Sequence, residues 1–474
     1  MPINYTDQLR LAYLRAAIAG QAETESKIAA YRDFYEGEQG VELSDRQKEY
    51  LTGQGDHDID VESFANVCKR VVNLPKDRLS LTAQGIAPAD AGASAYASAV
   101  TEWWNAGQLE AGQGEVYTAA LRDGQAAVIV GWNGERPTYT PNLVYDGETG
   151  LIRFHYDTDS NLLAASKRWN KWDPANLRET GKTRLNLYLD DRIERFEADA
   201  NTAGGWRQLR PDEVSLESAK QITVNPQPWV DKQGAPLGIP VIPFENPPGS
   251  ELADVLNIQK LLNHGLGTFD IAIDHHAWPI LWASGVDLPV NSEGEQYVPE
   301  YGPAQMITVA QGGQVGRLDP ADLVRLFQSG VLSWLHVLAV VKGWPLFVLD
   351  RSATPPSGVA LKIMESSLTA QIADKQRAFG GAWERAFDIG RRLHRLYLGD
   401  ELPGELDLTW QSFEVVDEQA HSEAQAKRWE GAQVPIMMRW REAGYTQEQM
   451  DQMMKDKQRE DQFGLADVVT GIEQ

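Results

Sequence analysis

The spacing of apolar positions along this chain changes near residue 125, and the change separates a helical first part from a β-rich second part. Over residues 5–37, Leu9, Tyr13, Ile18, Ile28, Tyr31 and Tyr35 form a helical stripe interrupted near Gly20. "EGEQGVELSDRQKEYLTGQGDHDIDVESF" follows as a polar, Gly-punctuated loop. "FANVCKRVVNLPKDRLSL" predicts a helix that breaks at Pro75 or passes into a strand. Residues 89–122 are Ala-rich and predict a further helix, ending at Gly124. From "QAAVIVGW" (125–132) the runs become short and β-type. "RPTYTPNLVYD", "LIRFHYD", "LLAASKRWNKW", "RLNLYLDDRIERFEA" and "QITVN", parted by Gly, Asn, Asp and Pro, predict an antiparallel sheet.

Residues 226–250 hold seven prolines, so this stretch runs extended and forms neither a helix nor a central strand. A helix is predicted to start at once afterwards, with Ser250 as N-cap and Glu251 and Asp254 complementing its positive end. Leu252, Val255, Gln259, Leu262, Leu266, Phe269 and Ile273 step along it by threes and fours, and Leu256, Ile258 and Leu261 add a second apolar flank. A helix apolar on more than one side is buried by several neighbours. Strand-like "WPILWASGV" and "PAQMITVAQ" follow. A second helix is predicted from Asp319 and Pro320 to Gly343. "WPLFVLDRSATPPSG" then reads as an irregular loop, and Ser357 caps a long helix with Gly380-Gly381 at its middle, where a bend is expected. The remainder, from Phe413, is acidic and helical, with Thr446 and Gln449 set as a capping box. No internal repeat is evident.

The 474 residues exceed what one core usually organises, so several parts are expected. The N-terminus lacks the apolar core of a signal peptide, and "VLSWLHVLAVV" is too short to span a bilayer. With a single cysteine, Cys68, neither an intrachain disulfide nor a cysteine-based zinc cluster can form. These features read as a protein made in the cytoplasm and not bound to membrane. The net charge of −24 disfavours non-specific attachment to a polyphosphate backbone or to anionic lipid. One segment opposes that charge: residues 357–398 carry seven Lys or Arg against four acids, a helix expected to pair with the acidic remainder or with another copy.

The first chemical candidate is "IAIDHHAW". Asp274, His275 and His276 resemble the triplet of one metal-dependent phosphoesterase family, with "GDHDID" (55–60) as a possible acidic partner. On a helix, however, successive residues point about 100° apart and cannot converge on one ion. That family's C-terminal Gly-rich His motif is also absent. Fifteen Trp in an acidic chain raise a glycoside hydrolase with aromatic sugar platforms, yet no carboxylate pair stands out. No nucleophile elbow, phosphate-binding loop or dinucleotide fingerprint occurs. A monomeric acidic hydrolase, metal-dependent or glycosidic, is the alternative reading; no catalytic, cofactor or metal residue is assigned.

Four segments, in order, carry a resemblance. "YRDFYEGEQ" resembles the "YYxGxQ" element of the portal proteins of tailed bacteriophages, the ring-shaped head–tail connectors. "FANVCKRVVNLPKDRLSLTAQG" resembles that family's Asn…Val-Val…Arg-Leu segment. "PLGIPVIPFENPPGSELADVLNIQKLLN" is similar to its passage into the stem helix, with Ser-Glu-Leu followed by Gln and Asn. "SGVALKIMESSLTAQIADKQRAFGGAW" is the most specific match and opens the helix after the tunnel loop. None of these is a catalytic motif.

The resemblance implies a non-enzymatic α+β subunit, elongated, with long stem and spine helices, a β-containing wing, a small α/β clip and a mostly helical crown. Laid on this chain, residues 1–249 are the wing and 250–276 the first stem helix. Residues 277–318 are the clip, 319–343 the second stem helix and 344–356 the tunnel loop. Residues 357–412 are the spine helix and wing return, and 413–474 the crown. Asp350, Arg351 and Ser352 become DNA-facing candidates in the tunnel loop, and Gly380 and Gly381 the bend of the spine. Leu252, Val255, Leu262, Leu266, Phe269, Leu335 and Leu338 become stem packing residues. The implied assembly is a ring of identical chains, a dodecamer in the family, at the capsid vertex of a virion put together in the host cytoplasm. Its implied partners are double-stranded DNA passing without sequence specificity, the terminase large subunit, head–tail adaptors, and the major capsid and scaffold proteins. No cofactor is implied. A net negative channel suits DNA that must slide without sticking.

Overall fold

The structure, a computed structural model, describes residues 7–19, 22–39, 65–89, 94–145, 150–173, 176–199, 205–211, 213, 224–277, 281–284, 313–317, 325, 327–345, 358–412, 440, 450 and 452–456. Helices and strands both contribute substantially, so the chain is α+β. Residues 1–411 form one compact unit and 412–474 another. In the second unit residues 440, 450 and 452–456 are helical, and the expected Thr446–Gln449 capping box lies outside the described residues.

The first stripe becomes two helices, α1 (Asp7–Ala19) and α2 (Ala22–Glu36). Asn66 caps α3 (Val67–Lys76) by accepting from the Lys69 N–H at 3.0 Å. This helix passes one residue beyond Pro75 before β1 (Leu81–Pro88) begins. The Ala-rich stretch, predicted as one helix, is two: α4 (Ala95–Ala106) and α5 (Leu109–Asp123). Gln108 between them is left-handed at φ 50°, and a Cβ on Gly107 would lie 2.9 Å from the Trp103 carbonyl oxygen. Helix propensity sums over a window and does not register such a local break. Gly124, left-handed at φ 91°, ends α5 as predicted.

The β-type runs pair antiparallel throughout. In the smaller sheet β2 (Gln125–Trp132) lies between β3 (Pro137–Leu143) and β10 (Val241–Glu245). The larger sheet runs β4 (Gly150–Tyr156), β5 (Leu162–Asp173), β6 (Arg178–Tyr188), β7 (Arg192–Asp199), β8 (Arg207–Gln208), with β9 (Gln227–Pro228) also on β7. The proline-rich stretch thus supplies only edge pieces, β9 and β10, where a missing N–H is tolerated. Helix α1 covers the larger sheet: Ala17 packs with Ala164, Leu185, Leu187, Leu189 and Phe196. The run "QITVN" lies mostly outside the described residues.

Two features after residue 250 differ from the prediction. Helix α6 (Leu256–Ala277) starts six residues after Ser250, and residues 251–255 form a turn. The reason is docking: the Glu251 N–H donates to the Leu121 carbonyl at 2.8 Å, and the Ser250 hydroxyl donates to the Arg122 carbonyl at 2.5 Å while accepting from the Leu252 N–H at 3.1 Å. These contacts hold the turn against the end of α5. After the antiparallel pair β11 (Leu281–Ser284) and β12 (Gln314–Arg317), the second predicted helix is described only from its middle. A π-helical turn (Gln328–Leu332) leads into α7 (Ser333–Lys342), which stops at Gly343, left-handed at φ 64°. Asp319, Pro320 and "PAQMITVAQ" lie outside the described residues.

Helix α8 (Gly358–Leu398) is the longest element, with 41 residues, and runs through Gly380-Gly381 without interruption. β13 (Leu406–Trp410) returns to pair with β1. The second half of α8 lies in an aromatic core. Trp383 stacks on Phe387 and meets Trp104 and Phe244 edge-on, with centroids 5.1–5.6 Å apart, and Tyr117 stacks on Phe379 at 5.2 Å. The glycine that this packing demands is Gly390, whose Cβ would fall 2.1 Å from the Tyr139 hydroxyl. Trp103, Trp104 and Trp383 are core residues, so they are not available as sugar platforms. Among the described residues no helix is long and apolar enough to cross a membrane.

Candidate functional site

A buried polar construction lies at the root of α6 and α7. Glu251 is 3% exposed, and its carboxylate accepts from the Lys342 ammonium at 2.5 Å and the Lys375 ammonium at 2.8 Å. The Asn246 amide donates to the same carboxylate at 3.0 Å. Lys342, the last residue of α7, also donates to the Glu251 carbonyl at 3.1 Å, and its own carbonyl accepts from the Gln371 amide at 2.8 Å. One carboxylate thus ties the entry of α6, the exit of α7 and the first half of α8. Burial alone would raise the Glu251 pKa, but Lys342 and Lys375 more than offset this and hold it below the usual carboxylate range.

In the first turn of α6, Gln259 is fully buried and caps a different helix. Its Oε1 accepts from the Val67 and Cys68 N–H groups at 2.9 and 3.3 Å, filling the N-terminus of α3. Its Nε2 donates to the Ala65 carbonyl and to Asn263 Oδ1, both at 2.7 Å. Asn263 donates in turn to Gln39 Oε1 at 3.4 Å, just after Gly37 (φ 90°) ends α2. From α2, the Tyr35 hydroxyl donates to Asn73 of α3 at 3.0 Å, and the Tyr35 carbonyl accepts from Asn66 at 2.8 Å. Arg32 reaches Asp123 at 3.0 Å, and Arg122 holds the same carboxylate at 2.7 Å. Arg78 meets Glu365 of α8 at 3.5 Å.

Periodicity did not single out these polar residues as a site; Gln259 had been counted as a step in an apolar stripe. Most of them nevertheless belong to the four segments on which the family resemblance rests; Lys342, Arg122 and Asp123 do not. Tyr35, Gly37 and Gln39 come from the first, Asn66 and Arg78 from the second, Asn246, Ser250, Glu251, Gln259 and Asn263 from the third, and Glu365, Gln371 and Lys375 from the fourth.

The residues assigned from sequence fall elsewhere. Asp350, Arg351 and Ser352 lie outside the described residues, as does the 55–60 acidic cluster. The preceding chain is fixed, since Trp344 is buried and its N–H donates to the Ala339 carbonyl at 2.8 Å. Of the stem residues, Leu252, Val255, Leu262 and Leu338 are buried within the chain, and Leu266, Phe269 and Leu335 are half-buried. A Cβ on Gly380 would meet nothing nearer than 3.6 Å, and one on Gly381 nothing nearer than 3.8 Å. Helix α6 runs through Asp274, His275 and His276. Among the described residues no three His, Cys, Asp or Glu side chains are grouped to hold a metal. Burial pushes the Cys68 thiol up to about 12, which makes it a packed sulfur and not a nucleophile.

The basic bias of α8 is met largely within the chain. Lys375 pairs with Glu251, Arg377 with Asp374, Arg391 and Arg392 with Asp388, and Arg395 with Glu401. The network as a whole holds parts of the fold together. No protein-family model matches the chain, and no curated protein matches it.

Proposed function

We propose that this chain is a portal-type subunit: a non-enzymatic protein that assembles into a ring at a phage capsid vertex and forms the conduit through which DNA is packaged, retained and ejected. On this reading the subunit is elongated, and α6 and α7 are the stem pair, α8 is the spine, and the segment between α7 and α8 is the loop facing DNA. The ring receives the terminase motor and later the head–tail adaptors, and it contacts capsid and scaffold proteins.

One observation carries the reading. Four segments far apart in sequence, each resembling a portal segment, supply most of the side chains of the polar clusters that tie α6 to α2, α3 and α8, with Glu251 held by Asn246 and Lys375 and Gln259 by Asn263 and the start of α3, and they supply the separate, half-buried pair Arg78–Glu365. A buried ionic and amide network adds little net stability over an apolar core of the same volume, and its best-attested use is to fix one arrangement among several. A subunit whose stem must meet identical neighbours at a set angle needs such fixing. The net charge of −24 agrees with a channel that does not grip phosphate.

The test is particle mass. A twelve-membered ring of 52.7 kDa subunits scatters light as a particle of about 630 kDa. Annular particles in negative stain are the expected companion result; a strict monomer across salt and protein concentration overturns the reading. With rings in hand, Asp350→Ala with Arg351→Ala is expected to leave them intact and to change DNA packaging or retention. Loss of the rings would reassign that pair to assembly.

A further inference from the structure

The far end of α8 borders a cavity that the polar network at the helix root does not reach. Its volume is about 340 Å³, and it lies between the last turns of α8 and the turn at residues 401–403. Asp388, Arg391, Arg392 and Arg395 line it from α8, at positions i, i+3, i+4 and i+7 of one helix face, and Glu401 lines it from the turn. Three guanidinium groups against two carboxylates leave this cavity one positive charge, in a chain whose net charge is −24.

The arginines are held by groups that do not cancel their charge. The Arg391 guanidinium lies 4.5 Å from the centre of the Tyr96 ring and donates to the Gly404 carbonyl at 3.4 Å. Arg392 donates to the Leu237 carbonyl at 3.2 Å. The two share one carboxylate, Asp388, at 2.8 and 2.6 Å, so one charge between them stays uncompensated. Arg395 meets Glu401 at 3.4 Å, with the two side chains 53 and 75% exposed. A pair so open to water contributes little and exchanges readily for a better acceptor. Each guanidinium carries five N–H donors, and these contacts leave several without an acceptor among the described residues. Complementing the carbonyl end of α8 accounts for Arg395 in the last turn. Arg391 and Arg392 stand more than a turn before that end and line the same cavity.

We propose that this cavity binds a single phosphate group, as the free ion or at the end of a small molecule. A guanidinium fork matches the oxygens of a phosphate, and three forks on one cavity suit a group with at least three free oxygens better than a carboxylate with two. A polynucleotide is disfavoured, because its further phosphates would meet a strongly acidic chain. On binding, Arg395 exchanges Glu401 for the phosphate, while Arg391 and Arg392 keep Asp388 and donate through their remaining N–H groups. The site does not depend on the ring reading above.

The test is calorimetric titration of the full chain with inorganic phosphate, in a buffer free of phosphate and sulfate, where saturable binding is expected. Arg395→Ala, at a position too exposed to disturb the fold, is expected to weaken that binding at least about tenfold, as the loss of a charge-assisted hydrogen bond requires. Glu401→Gln removes the competing carboxylate and is expected to tighten it severalfold, a gain that a purely structural ion pair would not give. Adenosine monophosphate as second titrant separates the two sources. Tighter binding than inorganic phosphate supports a small phosphate ester as the ligand, and equal or weaker binding supports the free ion. Absence of saturable binding by both titrants, or binding that neither variant alters, overturns the proposal. A DNA duplex that binds through the same arginines more tightly than either titrant also overturns it and assigns the cavity to nucleic acid.

Discussion

The two halves of α8 are held by opposite means. Its first half meets the rest of the protein through Gln371 and Lys375, which reach Lys342 and Glu251 across a buried polar network. Its second half meets it through Phe379, Trp383 and Phe387, packed on Tyr117, Trp104 and Phe244. The aromatic half is held by apolar area removed from water and by stacked and edge-on ring pairs. A carboxylate between two ammonium groups is held by charge, and a displaced partner leaves a buried charge unpaired. The aromatic half makes the fold stable, and the polar half sets the angle at which α6 and α7 leave it.

The largest effect is expected where the polar half is broken. Glu251→Leu leaves Lys342 and Lys375 buried without their shared carboxylate, and losing one partner of such a pair destabilises by about 3–5 kcal/mol. Urea denaturation of the variant measures it, and a loss below about 1 kcal/mol would mean that the network relaxes into water. The same group sets an acid limit. Its folded pKa is depressed from 4.5, so its contribution is complete above the unfolded value and is lost as pH falls through the folded one. Wild-type stability is expected to fall below about pH 4.5, and Glu251→Leu to lack that part of the decline.

The larger sheet titrates in a different window. Burial, with a smaller contribution from Arg153, lowers the His155 pKa from 6.5 to about 4. The unfolded chain therefore takes up this proton first, and stability is lost as pH falls from about 6.5 to about 4, by at most about 3 kcal/mol. His155→Gln is expected to flatten that window while leaving the decline attributed to Glu251. A variant that keeps the full slope between pH 6 and 4.5 would remove His155 as its source.

A smaller loss is expected at Gln259. Gln259→Leu keeps the volume but leaves the Val67 and Cys68 N–H groups without their side-chain acceptor, and an unsatisfied buried donor costs about 1–3 kcal/mol. Hydrogen exchange at these two amides is the direct measurement. Unchanged protection there would show that another acceptor takes over.

Legibility in the sequence follows the same division. The strand at 125–132, the stops at Gly124 and Gly343, the helical N-terminus interrupted near Gly20 and the absence of helix or central strand from the proline-rich stretch are all visible from periodicity and breakers. Those signals depend on one residue and its near neighbours. The split at Gln108 and the late start of α6 were not visible, because each depends on a contact with chain outside the window or on one left-handed residue. Gln259 and Asn263 were legible only as matches to a family pattern. Nothing in the helical stripe explains why a Gln belongs there, since the groups that it satisfies lie about 190 residues away.

The smallest effect tests the glycines of α8 against one another. Gly380-Gly381 was expected to bend the helix; α8 is unbroken there, as a bent helix also is, and a Cβ at either site has room. Gly→Ala in a helix interior is favourable by about 1 kcal/mol, partly because the unfolded chain loses freedom. Gly380→Ala and Gly381→Ala are therefore each expected to raise stability by about that amount, read as a higher urea midpoint. Ten residues further on, the same change should do the reverse, because the Gly390 Cβ would collide with the Tyr139 hydroxyl and press on Trp103. Ring mass adds a second readout to the first pair. If Gly380→Ala and Gly381→Ala stabilise the subunit but lower the fraction in rings, the glycines serve flexibility during assembly. If both quantities rise or hold, they are plain helical positions, and Gly390 is the glycine of α8 that the fold requires.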